Sequence, residues 1–177
     1  RDSYCVGGDE TIGTVELNTV AFAPISASGI GAWVKTTSYP LFVAAAHCFH
    51  LRGYIYCVGG QGTTEEKNFV SAAYYARLSS AGLGPWKKTT SYFEGISPAA
   101  CAAASGYIYC MGGSTSTGNP TSRMAYSAMT PEGLGVWISS SGYPGQPDYC
   151  VTRGSYLYCV GGTGRNEGST AAYFAHV

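Results

Sequence analysis

One short motif recurs along the chain and constrains its fold more than any other feature. It reads Tyr-apolar-Tyr-Cys-apolar-Gly-Gly, and its copies span residues 54–60, 107–113 and 156–162, with a shortened copy at residues 4–8. The cysteines of the four copies are spaced by 52, 53 and 49 residues. A fixed period of this length is typical of arrays in which each repeat is one supersecondary unit. Each copy is therefore predicted to mark an equivalent strand in successive units.

A second motif follows each double glycine and ends in a tryptophan. An aromatic residue stands 11 positions before each tryptophan, and the pairs are Phe22 with Trp33, Tyr75 with Trp86, and Tyr126 with Trp137. Each tryptophan leads to a turn that contains a tyrosine, namely Tyr39, Tyr92 or Tyr143. A tryptophan buries a large area, so we expect it to fill the gap between neighbouring units.

The apolar strand that ends in Gly-Gly, the later aromatic residue and the spaced tryptophan resemble the kelch repeat over essentially the whole chain. The regular cysteines resemble the secreted, galactose-oxidase-like branch of that family. The resemblance implies an all-β fold, a propeller whose blades have four antiparallel strands, with about three and a half blades in this chain. In the second blade, strands a, b and c are expected at residues 43–50, 54–58 and 70–78, and strand d contains Trp86. A β-solenoid and a tandem sandwich are the alternatives, although solenoid coils are usually shorter than this repeat.

Composition agrees with an all-β chain and excludes some partners. Gly (25 residues) and Tyr (15 residues) are abundant, and they suit turns and half-buried pleated surfaces respectively. Ten basic and ten acidic residues give a formal net charge of zero, so no field of one sign attracts nucleic acid or anionic lipid. No run of apolar residues reaches the ~18 residues that a membrane span needs.

Alignment of the repeats predicts a single propeller over residues 1–177. Its blades are expected at about residues 1–39, 40–92, 93–143 and 144–177, where the first blade lacks its first strand and the last blade lacks its last strand. Fourteen strands follow from this alignment. The chain is then a piece of a longer propeller, a subunit whose open edges pair with another chain, or a small four-bladed ring.

Six of the seven cysteines form pairs that are nine residues apart, namely Cys48 with Cys57, Cys101 with Cys110, and Cys150 with Cys159. Midway between each pair lie two residues suited to a primed hairpin turn: Arg-Gly, Ser-Gly or Gly-Ser. Counting outward from such a turn places each cysteine pair opposite one another without a hydrogen bond, at a Cα separation of ~4.5 Å that suits a disulfide. Three disulfides are therefore predicted, and Cys5 is left unpaired. The alternatives are buried free thiols and zinc, which usually needs a closer Cys/His cluster.

Few residues are candidates for chemistry. His47 and His50 are three positions apart on a strand and point to opposite faces, so no metal site is predicted, and no cofactor is expected. The recurrent Tyr39, Tyr92 and Tyr143 are candidates for stacking on sugars, or for packing blade against blade. Glu65 and Glu66 lie in a b–c loop, where they are either ligand contacts or a solvated loop tip.

Three disulfides favour an oxidising compartment, so we expect an extracellular or cell-surface protein. Its expected function is non-catalytic binding of protein or glycan through the b–c loops at residues 9–16, 61–68, 114–122 and 163–169. The first alternative is a structural subunit whose incomplete edge blades pair with further copies or with the remainder of its own propeller. The second is a fragment of a copper-radical oxidase-like enzyme. Such a site needs two His, two Tyr and a thioether-forming Cys, and here the only spare cysteine is Cys5, within the repeat motif itself.

Overall fold

The computed structural model describes residues 2–9, 16–62, 69–96, 100–115, 119, 121–140, 144–162 and 170–177. Within these residues there is no helix, and small antiparallel sheets are arranged as the four blades of a β-propeller. The predicted all-β propeller class is confirmed. None of the described segments is a helix long and apolar enough to cross a membrane.

Each blade is built from consecutive antiparallel strands. The first blade contains β1 (Asp2–Val6), β2 (Val20–Ser26), β3 (Gly29–Ile30) and β4 (Val34–Thr36). The second contains β5 (Val43–Ala44), β6 (His47–Leu51), β7 (Tyr54–Val58), β8 (Gln61–Gly62), β9 (Ala73–Ser79), β10 (Gly82–Leu83) and β11 (Lys87–Thr89). The third contains β12 (Ala100–Ala104), β13 (Tyr107–Met111), β14 (Met124–Thr130), β15 (Gly133–Leu134) and β16 (Ile138–Ser140). The fourth contains β17 (Tyr149–Arg153), β18 (Tyr156–Val160) and β19 (Ala172–His176).

In the second and third blades, strands a to d pair in sequence order, as β6-β7-β9-β11 and β12-β13-β14-β16. In the described residues, the first blade presents strands b, c and d, whereas the fourth presents strands a, b and c. When the two-residue strands are set aside, the described strands number fourteen, as the repeat alignment predicts. The residue limits assigned to the blades remain a prediction.

The starts of strands a and c and the place of Trp86 differ from the predicted ones in the second blade. Strand a of the second blade begins at His47 rather than at residue 43, because Ala45 adopts a positive φ of 54° that interrupts an extended strand. The preceding β5 pairs with β8 instead. Strand c begins at Ala73 rather than at residue 70, and Trp86 lies immediately before strand d rather than within it.

The a–b hairpins have the predicted primed turns. Both central residues have positive φ in the turns Arg52-Gly53 (47° and 81°) and Ser105-Gly106 (51° and 86°), which is the type I′ pattern. In the fourth blade only the first central residue, Gly154, has a positive φ (58°), which is the type II′ pattern. These turns fix the strand register, because a two-residue primed turn leaves one way to pair the flanking strands.

The hairpin register brings the cysteines together. Cys48 lies opposite Cys57, Cys101 opposite Cys110, and Cys150 opposite Cys159. Each pair forms a disulfide, with Cα–Cα distances of 4.1, 4.1 and 4.2 Å. These are the pairs that the spacing predicts. Each disulfide joins strand a to strand b within one blade.

The core lies between the blades rather than within them, since both faces of an inner sheet are covered. In β13, Ile108 and Cys110 pack toward the second blade, in a cluster that includes Tyr56. The alternate residues Tyr109 and Met111 pack toward the fourth blade. The two-residue period of a strand thus serves two neighbouring interfaces at once.

The double glycine is required by the backbone. Gly59 and Gly60 have positive φ values of 70° and 106°, which L side chains rarely adopt. A Cβ atom on Gly60 would also lie 2.8 Å from the carbonyl oxygen of Ala44. The motif therefore turns the chain at a crowded junction where strand b ends.

Candidate functional site

Two tyrosines of the d–a turns, Tyr39 and Tyr92, contact the tryptophan of the next blade. The ring of Tyr39 lies edge-on to Trp86 at 4.9 Å between centroids, and Tyr92 lies in the same way at 4.8 Å from Trp137. Tyr39 and Tyr92 are only 1% and 4% exposed. Burial raises the pKa of both hydroxyls, that of Tyr92 to about 12. These two tyrosines therefore pack between blades, with their rings buried against the tryptophans. Tyr143 lies outside the described residues.

Hydrogen bonds complete the junction between blades. The indole Nε1 of Trp137 donates to the carbonyl oxygen of Thr90 over 3.2 Å, and Trp86 makes the matching bond to Thr37 over 3.1 Å. Trp137 is 4% exposed and fills the gap between its blade and the second blade. The predicted role of the tryptophan between neighbouring units is confirmed at this junction.

Two adjacent threonines also hold the neighbouring blade: Thr89 ends strand d, and Thr90 follows it directly. The amide of Leu134 donates to Thr89 Oγ1 over 2.7 Å, and Thr90 Oγ1 donates to the Leu134 carbonyl oxygen over 2.9 Å. Leu83 is held in the same way by the two threonines before Ser38. Sequence reasoning missed this clamp, although the repeated Lys-Thr-Thr-Ser-Tyr segment at residues 35–39 and 88–92 was a visible signal.

The b–c loops leave and rejoin three blades through equivalent closed necks. The amides of Leu17, Val70 and Thr121 donate to the carbonyl oxygens of Gly8, Gly60 and Gly113, over 2.7, 2.8 and 2.9 Å. The accepting residue is each time the second glycine of the repeated motif. The loops therefore start from the same place in each of these blades. The tips of the b–c loops, including Glu65 and Glu66, lie outside the described residues.

Strands β6, β12 and β17 lie side by side and line a cavity of about 590 Å³. Small or apolar residues from the three strands face it, and each strand contributes its disulfide cysteine. His47 is half-buried there, and burial lowers the pKa of its imidazole. Among the residues that the structure describes, its Nε2 has no hydrogen-bond partner. No cluster of three or more His, Cys, Asp or Glu suited to a metal ion occurs in that same set of residues.

The two end blades expose apolar faces that are buried elsewhere in the molecule. We call the outer surface of the fourth blade, formed by Tyr156, Tyr158, Val160 and Phe174, the trailing face. All four side chains are exposed, Phe174 by 71%. At the other end, Trp33 is 47% exposed, although its counterpart Trp137 is almost fully buried. The sequence motif around the two tryptophans is the same. Trp33 is therefore more exposed than Trp137 because a neighbouring blade covers Trp137 but not Trp33 in the described residues.

These features define the class of the protein, a β-propeller whose second, third and fourth blades each carry a disulfide across the a–b hairpin. No protein-family model matches the chain, and no curated protein matches it. Among solved structures, the chain is similar to that of YjhT, with a TM-score of 0.71 and 16% sequence identity. The match covers 92% of this chain and 56% of the YjhT chain, so this chain spans little more than half the length of that one. At this identity the likeness shows the fold alone.

Proposed function

We propose that this chain is a kelch-type propeller of the extracellular space or the cell surface, and that it binds protein or glycan through its b–c loops. The observation that carries the proposal is the set of closed necks in three successive blades. Equivalent hydrogen bonds anchor three of these loops at the same place in their blades, so these three loops start from one rim of the scaffold. Binding residues are concentrated on loops held in this way.

The sequence pattern supports the same surface. The strands repeat their motifs from blade to blade, whereas the loops at residues 9–16, 61–68, 114–122 and 163–169 differ in sequence. They are rich in polar residues and include the acidic pair Glu65 and Glu66. Repeated strands with divergent polar loops are typical of a scaffold that presents different contacts around a ring.

The disulfides support the location. Three disulfides persist in an oxidising environment and are rare in a reducing one. The half-buried or buried cysteines at the a–b hairpins are thus expected to be oxidised in the native protein. Alkylation of the denatured protein from its source should leave the six hairpin cysteines unlabelled before reduction and label all six after it. Labelling of these six cysteines without reduction would contradict an oxidising location.

Loop replacement tests the binding function. Residues 63–68 are exchanged for a Gly/Ser segment of equal length, and a second variant carries only Glu65→Gln and Glu66→Gln. The matched control is Lys87→Gln with Lys88→Gln, at two exposed residues of β11. Binding to an array of immobilised glycans and to intact cells is expected to fall at least tenfold for the loop replacement, with an unchanged melting temperature. Equal binding by the replacement and the control would contradict the proposal.

A second candidate function is assembly through the end blades. Tyr109 and Met111 of the third blade are covered by Leu157 and Cys159 of the fourth, and their counterparts Tyr158 and Val160 lie exposed on the trailing face. The surface that covers this face is therefore expected to be another blade of the same repeat, which in a second copy of this chain is the first blade, with Ser3 and Cys5 of β1.

Solution mass tests assembly. Light scattering coupled to size exclusion is expected to show a mass that rises with protein concentration. Tyr158→Ser should abolish the rise, whereas Val136→Ser should not, because Val136 is 78% exposed on the third blade and outside the trailing face. A single-chain mass at every concentration would contradict assembly.

A further inference from the structure

We propose that the junction between the second and third blades is acid-sensitive, because it holds the imidazole of His47 in its neutral form and loosens when that ring is protonated. The b–c loops of these two blades leave the scaffold on either side of this junction. The inference concerns the protein alone and does not depend on what the loops bind.

His47 lies on the side of β6 that faces the third blade. Side chains alternate between the two faces of a strand, and Phe49, two positions further along β6, packs against the apolar cluster between these blades. Cys48 instead packs in the cluster toward the first blade. Val58, which lies directly opposite His47 in the ladder, is a member of the cluster toward the third blade. The imidazole is therefore placed at the blade junction among apolar side chains.

One ring nitrogen of His47 is enclosed without a polar partner. The residue as a whole is half-buried, but its Nε2 atom is shielded from solvent and has no hydrogen-bond partner among the described residues. In the neutral ring one nitrogen carries no proton, whereas in the charged ring both nitrogens are donors. Protonation would thus place a positive charge with an unpaired N–H inside the junction, and burying such a group costs free energy.

The described residues around the junction provide no counter-charge for a protonated His47. The facing strand β12 contributes only alanines and the disulfide-bonded Cys101. The titratable side chains on the surrounding elements are Arg52, Tyr54, Tyr56, Tyr75 and Arg77 on the second blade, Glu94, Arg123 and Glu132 on the third, Tyr149 across the cavity, and His50 on β6 itself. Glu94 is paired with Arg123 over 3.5 Å. Burial is what perturbs the pKa of the His47 imidazole, which it lowers, so none of these groups offsets the charge.

Hydrogen bonds connect the junction to the base of a b–c loop. Ile96, which precedes β12, packs in the same cluster as Val58, and its carbonyl oxygen accepts from the Gly60 amide over 3.1 Å. The Gly60 carbonyl oxygen closes the neck of the loop by accepting from the Val70 amide over 2.8 Å. Loosening the junction therefore frees the base of this loop from the third blade, while the disulfide at Cys48 keeps the a–b hairpin shut.

Acid rather than alkali should weaken the junction. Burial holds the pKa of His47 below its ordinary value of 6.5, so the unfolded chain binds the proton more readily than the folded one. The contribution of His47 to stability is then fully present above about pH 6.5 and is lost as the pH falls from there through the lower pKa of the fold. Mild acidification is the condition that opens the junction.

Urea denaturation of the whole chain at pH 7.5 and pH 5.0 tests the proposal. The variants are His47→Leu and His47→Gln, and the matched control is His50→Leu, at an exposed residue on the opposite face of the same strand. Between the two pH values, the folding equilibrium constant of the wild-type protein is expected to fall at least about threefold more than that of His47→Leu or His47→Gln. His50→Leu should follow the wild-type protein. An equal fall in the wild-type protein and in a folded His47 variant would overturn the proposal.

Amide hydrogen exchange of the wild-type protein shows whether the effect is local. After correction for intrinsic rates, the Gly60 amide, which donates across the junction, is expected to lose at least about threefold of its protection at pH 5.0. The Leu78 amide donates to Gly53 within the second blade over 2.8 Å and should keep its protection. Equal loss at both amides, or no loss at Gly60, would overturn the proposal. Since no ligand is present, neither result bears on binding by the b–c loops, which has its own test.

Discussion

The junction between the second and third blades gives the sharpest test of how this propeller is held together. Trp137 is 4% exposed, contacts Tyr92 edge-on and donates a hydrogen bond to Thr90. Replacing a buried tryptophan with alanine costs about 3–5 kcal/mol through lost transfer energy and the remaining cavity. About 1 kcal/mol of that is the hydrogen bond, and about 0.5–1.5 kcal/mol is the aromatic pair. Trp137→Ala should therefore remove about 3–5 kcal/mol from the free energy of unfolding.

Trp33→Ala is the matched comparison, because this tryptophan has the same place in the repeat but is 47% exposed. Its replacement should cost about 1 kcal/mol or less, close to the range of surface substitutions. Urea denaturation followed by circular dichroism measures both values. In a chain of this length the difference corresponds to a melting temperature lower by roughly 5–15 °C for Trp137→Ala. Equal costs at the two positions would refute the account of the blade interface.

Three further perturbations have defined outcomes. Thr90→Val should lower the free energy of unfolding by about 1 kcal/mol, because the Leu134 carbonyl oxygen loses its 2.9 Å hydrogen bond and keeps only the longer one from Thr89 Oγ1, at 3.4 Å; differential scanning calorimetry would detect the loss. Cys101→Ser with Cys110→Ser should lower the free energy of unfolding by less than the ~3 kcal/mol estimated for a disulfide that closes a 15-residue loop, because these cysteines are only nine residues apart. A larger decrease, measured by urea denaturation, would contradict the hairpin assignment. The pKa of Tyr92 is raised to about 12 in the fold against about 10 in an unfolded chain. Its contribution to stability is thus fully present below pH 10 and is lost as the pH rises toward 12, so a spectrophotometric titration in which this tyrosine ionises near pH 10 would refute its burial.

The a–b hairpins could be predicted completely from the sequence, because local rules determine them. Arg52-Gly53 permits one primed turn, that turn permits one register, and the register places Cys48 against Cys57. The tryptophan could be assigned to the blade interface for a similar reason, since a large apolar side chain at a fixed position of every repeat has to be covered by something that also repeats. That Cys5 stays outside the three disulfides was predicted from counting strands rather than from its neighbours in the chain.

Other features depend on contacts that no local pattern contains. Ala45 has no sequence signal for a positive φ, and the break it makes before β6 comes from the pairing of β5 with β8. The threonine clamp on Leu134 joins side chains 44 and 45 residues apart. The sequence allows Tyr39 either to stack on a sugar or to pack on an indole ring, because a tyrosine ring can do both. Its burial in the structure favours packing.

The position of the disulfides also has a mechanical consequence. Each one joins residues nine positions apart within a single blade, so none of them fastens one blade to the next. Under tension applied to the ends of the chain, the blades would separate at their tryptophan and threonine contacts while the cross-linked hairpins stayed shut. Each cross-linked hairpin would then keep about 30 Å of chain from extending. A reducing agent would allow this length to extend in one step, and the force at which the blades separate would not change.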